Sequence, residues 1–273
     1  MIPASFTYKR ARSVDEALDL LSENGDEARY LAGGQSLLPL MKLRLAAPET
    51  LVDIGRLGEL SYVRDEGSHV VVGALTSHHH LATSETLARD LPLLANAAAQ
   101  VGDPQIRHRG TIGGSLAHAD PAADLPAVVL ALDATLIARG PAGTREIAAR
   151  DFFLGLFETA LRPGELLTEV RVPKPPQAGW SYQKFTKRAI DWAIVGVAVQ
   201  GGNVALVNMA STPVRAGMVE RALAEGSDPA AAAAHAADAT SPADDINGSS
   251  SFRKHLAAVL VARALEEARR RAG

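Results

Sequence analysis

The chain has 273 residues, 47% of them apolar and 4% aromatic, a formal charge of -3 and no cysteine. That is enough apolar chain for one or two buried cores, while scattered basic residues and scarce aromatics exclude a nucleic-acid footprint. Without cysteine there is no disulfide, no thiolate nucleophile and no Cys-ligated zinc or iron–sulfur centre, so any iron–sulfur relay would have to sit on a partner.

The segment Met1 to Phe6 has no basic stretch followed by an apolar run. The most apolar later stretch, Ala127 to Ala138, is interrupted by Asp133. Neither an export signal nor a membrane span is expected, and a cytoplasmic location is inferred. Ser13, with Glu16 three residues on and Val14, Ala17, Leu18, Leu20 and Leu21 behind it, predicts a capped amphipathic helix. Tyr30-Leu31-Ala32 reads as a short buried strand that runs through Gly33-Gly34-Gln35-Ser36 into an apolar helix over Leu37 to Leu45. Thr50 to Ile54 and His69 to Leu75 alternate as strands. Thr76-Ser77 are suited to cap the stretch after them, and Leu87 to Val101 predicts a helix.

From Gly102 to Pro126 glycine and proline punctuate an irregular stretch, a kind of segment that more often carries function than not. A strand is expected at Leu167 to Val172, and the cluster Pro173, Pro175, Pro176 sets a domain boundary near residue 176. Beyond it Trp180 to Thr186, Ile194 to Gln200 and Asn203 to Met209 predict a small antiparallel sheet. Helices near Met218 to Ala224 and Phe252 to Arg271 would back it, and the alanine run Ala230 to Ala239 is given no function.

Two glycine pairs carry the chemistry. Gly33-Gly34 and Gly113-Gly114 are each followed by a hydroxyl residue, Ser36 or Ser115, and Thr111 precedes the second pair. Glycines let the backbone approach an anion closely, and amides and hydroxyls supply donors, so two such loops could clamp one pyrophosphate. The Rossmann fingerprint and the P-loop are both absent.

These residues lie in two longer segments, Ala32-Gly33-Gly34-Gln35-Ser36-Leu37 and Gln105 to Ser115, the latter containing Arg107-His108-Arg109-Gly110-Thr111-Ile112-Gly113-Gly114. Together with His118-Ala119-Asp120-Pro121-Ala122-Ala123-Asp124-Leu125-Pro126, Arg162 to Leu167, Tyr182-Gln183-Lys184 and Phe252 to Leu256, they make the chain resemble a known family over essentially its whole length. That family is the FAD-binding medium subunits of carbon monoxide dehydrogenase and xanthine dehydrogenase, which are molybdenum hydroxylases. The resemblance implies an α+β fold. A two-subdomain FAD-binding fold of the PCMH, or vanillyl-alcohol-oxidase, type covers residues 1–176, with subdomains of about 1–55 and 56–176. A small C-terminal domain with a three-stranded antiparallel sheet and helices follows over 177–273.

The resemblance also implies the cofactor contacts. Ala32, Gly33, Gly34, Gln35, Ser36, Leu37, Thr111, Gly114 and Ser115 would surround the pyrophosphate of FAD. Asp124 would accept from a ribose or adenine donor, and Val101, Gly102, Leu167 and Lys184 would line the rest of the path. Lys184 is expected to favour the anionic reduced flavin through its charge. His78, His118 and Asp120 are placed near the cofactor as well. Trp192 either stacks on or shields the isoalloxazine or is a partly buried core tryptophan. Gln35 and Phe252 stand where relatives often have His and Tyr.

No residue of the chain is expected to be catalytic in hydroxylation and no metal site is expected. Consecutive His78, His79 and His80 cannot face one ion from a helix, and Asp120 with Asp124 lacks further ligands. The implied partners are a large molybdopterin-binding subunit and a small subunit with two [2Fe–2S] clusters, in a dimer of heterotrimers, with an external electron acceptor. Two other functions are alternatives: a self-sufficient FAD oxidoreductase, which would use the glycine loops in the same way but for which no His, Tyr or carboxylate cluster announces a substrate pocket, and a cofactor-free scaffold subunit, against which the glycine loops argue.

Overall fold

The computed structural model describes residues 2–175 and 178–273, so the expected boundary between 176 and 177 lies outside the described residues. In chain order, β1 (Thr7–Arg10), α1 (Val14–Asn24), β2 (Ala28–Leu31), α2 (Leu37–Lys42) and β3 (Thr50–Asp53) form a first unit. Its three strands are parallel in the order β1-β3-β2. The cap read from sequence is present: Ser13 Oγ accepts the Glu16 amide at 3.1 Å, and the Glu16 carboxylate accepts the Arg12 amide at 2.6 Å. α2 is shorter than expected, because the chain leaves the helix through Arg44 at φ 58.

The second unit runs through β4 (Val63–Asp65), β5 (His69–Gly73), α3 (His78–Thr83), α4 (Glu85–Asp90), α5 (Pro92–Ala99), α6 (Pro104–Arg109), α7 (Ile112–His118) and α8 (Asp124–Ala131). It closes with β6 (Thr135–Gly140), β7 (Gly143–Ala148), β8 (Phe153–Gly155), β9 (Glu158–Thr159) and β10 (Leu166–Pro173). Five of these strands pair antiparallel in the order β4-β5-β10-β6-β7, and α8 is buried along its whole length. The single helix expected over Leu87 to Val101 is two. Pro92 has no amide to continue α4 and starts α5 instead.

The stretch expected to be irregular holds α6 and α7, each started by a side chain that accepts an amide three residues on: Asp103 from Ile106 and Thr111 from Gly114. The apolar run Ala127 to Ala138 divides into α8 and β6 at Asp133, which takes φ 50.

The third unit contains β11 (Trp180–Phe185), β12 (Val195–Gln200), β13 (Asn203–Val207), β14 (Val214–Arg215), α9 (Gly217–Ala224), α10 (Pro229–Ala233) and α11 (Ser250–Ala272). The sheet is antiparallel as expected, with a fourth, two-residue strand, β14, added at its edge. β14 is held by Arg215, which reaches Glu220 at 2.6 Å and Asp133 at 2.8 Å, contacts that no hydrophobic pattern announces.

β12 is buried on both faces. Val195, Val197 and Val199 join the core formed with α9 to α11, whereas Ala198 joins the core of the second unit around α5 and α8. Large residues on one face and small ones on the other let the sheet pack between two helical layers.

Candidate functional site

The three units meet around a cavity of about 480 Å³. Its wall takes the loop between β2 and α2, the start of α3, the face of α7, the start of β10, and Trp192 from the third unit.

The β2–α2 loop brings Ala32, Gly33, Gly34, Gln35, Ser36 and Leu37 to one side. Gly33 is pressed against the α6–α7 turn, where a Cβ would lie 2.0 Å from the Arg109 carbonyl oxygen. Gly34 takes φ +74, a left-handed conformation that side chains resist. The turn leaves the amides of Gly33, Gly34, Gln35 and Ser36 without a protein acceptor among the described residues. The Ser36 hydroxyl caps nothing. Consecutive unpaired amides in a tight turn form a concave set of donors suited to an anion.

The second glycine pair works differently. The amides of Ile112 and Gly113 donate to the carbonyls of Thr76 and Ala74 at 3.0 and 2.8 Å, and Gly114 donates to Thr111 Oγ1 at 3.1 Å. A Cβ on Gly113 would lie 2.6 Å from Ala74 Cβ, so this glycine is required by close packing of α7 on the end of β5. Gly114 is exposed toward the cavity, and there the Thr111 and Ser115 hydroxyls join it in the wall.

His78 Nδ1 is buried without a partner among the described residues, and its amide donates to the Gly110 carbonyl at 2.9 Å. Burial, with Arg107 nearby, pushes the imidazole down to about 4, so the ring is neutral at neutral pH. His118 is also held below its ordinary range by burial, and it packs on Phe157 with ring centroids 5.1 Å apart. Asp124 opens α8 in the cavity wall, and burial pushes its carboxyl up against the opposing pull of Lys184 and Tyr182. Trp192 is 58% exposed at the rim, which removes the core-tryptophan alternative. Val101 and Leu167 line the same space.

Three expected contacts are not brought into this wall. Asp120 is spent on its own turn, accepting the Ala122 amide at 2.8 Å. Gly102 takes φ +47 in the α5–α6 turn and lines a second cavity of about 380 Å³. Lys184 lines that second cavity too; instead of reaching the first, its ammonium donates to Asp124 at 3.0 Å and to the Gln100 carbonyl at 3.1 Å. Its charge is paired with Asp124.

Sequence reasoning missed Tyr30, whose buried hydroxyl has no partner among the described residues, and Phe157, which reaches the cavity from the β8–β9 hairpin at φ 58. Tyr30 sat in view as a strand residue beside the loop. Nothing local marks Phe157. Among the described residues no group of three or more metal-ligating side chains exists, and no helix is long and apolar enough to cross a membrane.

The free amides, the paired hydroxyls and the aromatic rim fit an extended dinucleotide with a pyrophosphate in its middle. Residues 4–175 match the family described as the FAD binding domain in molybdopterin dehydrogenase. Residues 180–268 match the CO dehydrogenase flavoprotein C-terminal domain. The chain is 42% identical to the carbon monoxide dehydrogenase medium chain of Afipia carboxidovorans, over 100% of this chain and 99% of that one. It is equally 42% identical to the 6-hydroxypseudooxynicotine dehydrogenase complex subunit alpha of Paenarthrobacter nicotinovorans, over 100% and 97%. Among solved structures, the carbon monoxide dehydrogenase of Hydrogenophaga pseudoflava that lacks the Mo-pyranopterin moiety superposes with a TM-score of 0.97, at 43% identity and with both chains fully covered.

Proposed function

The chain belongs to the FAD-binding medium subunits of the CO dehydrogenase-like molybdenum hydroxylases, and from that premise we propose that it takes electrons from [2Fe–2S] clusters of a partner subunit and passes them to an external acceptor. Its proposed partners are that small iron–sulfur subunit and a large molybdopterin-binding subunit, assembled as a dimer of heterotrimers. Bound FAD supplies the exchange between one- and two-electron chemistry that such a relay needs.

The chain's own work is binding and orientation. The unpaired amides of Gly33 to Ser36, in the same cavity wall as the Thr111 and Ser115 hydroxyls, are the observation that carries this reading. They donate to the pyrophosphate, Leu167 and Val101 exclude water from the path, and Trp192 covers the rim. Gly114, His118 and Asp124 complete the contacts, with neutral His78 in the same wall. The chain is equally identical to subunits of enzymes whose names give different substrates, carbon monoxide and 6-hydroxypseudooxynicotine. That equality supports substrate choice by another subunit, with this chain serving as a common outlet for electrons.

The test is anaerobic mixing of the FAD-loaded chain with its reduced [2Fe–2S] partner. Bleaching of the flavin absorbance in step with cluster reoxidation is expected. A flavin that stays oxidised in the assembled complex while the clusters discharge elsewhere contradicts the proposal.

A further inference from the structure

Asp124 is held from behind by the C-terminal unit. Its Oδ1 accepts the Tyr182 hydroxyl, and its Oδ2 accepts the Lys184 ammonium at 3.0 Å. Tyr182 and Lys184 are two residues apart on β11 and so share one face of the strand. The intervening Gln183 points the other way, to Glu267 of α11 at 2.5 Å. Asp124 and Tyr182 are 4% and 5% exposed, and the Lys184 side chain is 5% exposed.

An ionised carboxylate buried this deeply is costly unless it is paired and hydrogen-bonded. Here each oxygen has one side-chain donor and the residue's own amide adds a third, which leaves the carboxylate room for one further donor, while the residue lines the cofactor cavity. Resting on the FAD reading above, we propose that Tyr182 is a positioning residue of the cofactor site: with Lys184 it fixes the Asp124 carboxylate as the acceptor for a hydrogen-bond donor of the bound FAD. The C-terminal unit thereby takes part in cofactor binding without touching the cofactor through these two side chains.

A purely structural strut would tie the units together and leave the carboxylate's proton affinity irrelevant to binding. The proposed role makes FAD affinity depend on Asp124 being ionised. Burial pushes that carboxyl above its ordinary range, and the Tyr182 and Lys184 donors oppose the rise. Removing the Tyr182 hydroxyl raises it further, so protonation reaches Asp124 at a higher pH. Other groups around α8 are accounted for. α5, β12 and β13 bring no ionisable side chain. Arg150 and Asp151 beside it face each other, and β14 brings Arg215 to the far end, bonded to Asp133. α7 and α3 contribute His118 and His78 to the same cavity, so the Asp124 component is read as a difference between variants.

The experiment titrates FAD into the flavin-free full-length chain across pH, following flavin fluorescence, for the wild type, Tyr182→Phe, Asp124→Asn and the double variant. Tyr182→Phe is expected to bind FAD about tenfold more weakly at neutral pH, in line with loss of a hydrogen bond to a charged group. Its loss of affinity on acidification should begin at a higher pH than in the wild type. In Asp124→Asn that acid limb should shrink, and adding Tyr182→Phe should change nothing further. Wild-type affinity and an unmoved acid limb in Tyr182→Phe, or an equal loss in the Asp124→Asn background, overturn the proposal. Were Tyr182→Phe to misfold, Lys184→Gln reads the same carboxylate, and an unmoved limb there overturns it equally. A wild type that takes up no FAD at any pH removes the cofactor reading itself, and the proposal with it.

Discussion

His78 shows how far a single residue could be read in advance. The resemblance put it near the cofactor and the Thr76-Ser77 pair before it suited a helix start, and Ser77 does cap α3 by accepting the His80 amide at 3.1 Å. The neutral, unpartnered ring could not be read, because it depends on Gly110 and Arg107 arriving from another helix. It has a consequence for stability. The folded pKa, about 4, lies below the ordinary 6.5, so the unfolded chain binds more protons between those values. Stability is full above pH 6.5 and falls as the pH drops toward 4, by up to about 3 kcal/mol in the limit. Thermal unfolding across that window should show the loss, and His78→Gln should flatten it; an equally steep slope in the variant contradicts the assignment. The Asp124, Tyr182 and Lys184 cluster was half legible, since Lys184 was singled out from the resemblance, but its partner is 60 residues away in the chain.

At the scale of elements, the two glycine pairs looked alike in sequence and separate in structure. Both precede a hydroxyl residue, a local pattern that cannot resolve them further. Gly33–Gly34 opens a turn with free amides, whereas Gly113 sits where α7 is hydrogen-bonded onto the end of β5. Gly113→Ala is therefore expected to destabilise the chain by about 2 kcal/mol, through overpacking against Ala74. Gly114→Val should fold, because its Cβ meets only the Thr111 hydroxyl at 2.9 Å, and should lose FAD because the side chain enters the cavity. Unfolding curves with flavin content for the two variants check this, and the reverse pattern contradicts it. Gly34, by contrast, does not make a clean test: φ +74 and a Leu38 Cδ1 contact of 2.8 Å strain any side chain there. β5 was legible from alternation and β10 from the prolines around it. β1, β6 and β7 were not assigned, and β6 was hidden because it joins α8 in one apolar run.

At the scale of the whole molecule, the sequence indicated a C-terminal sheet backed by helices, and the structure adds a second layer on its other face. Tyr182, Ala193, Ala198, Ala205 and Val207 enter the core of the second unit alongside α5 and α8. Small residues in a strand read as weak strand formers when taken alone, and only the approach of α8 explains them. The cofactor cavity inherits this arrangement, with its donors in the first two units and its rim and the hold on Asp124 in the third. The most direct test of the central claim, that these parts form one dinucleotide site, is the flavin content of the full-length chain after incubation with FAD or with FMN and removal of the excess. One FAD is expected to be retained per chain and released intact on denaturation, with FMN washed away because it lacks the pyrophosphate that the Gly33 to Ser36 amides receive. A chain that retains neither flavin, or holds FMN as firmly as FAD, contradicts the claim.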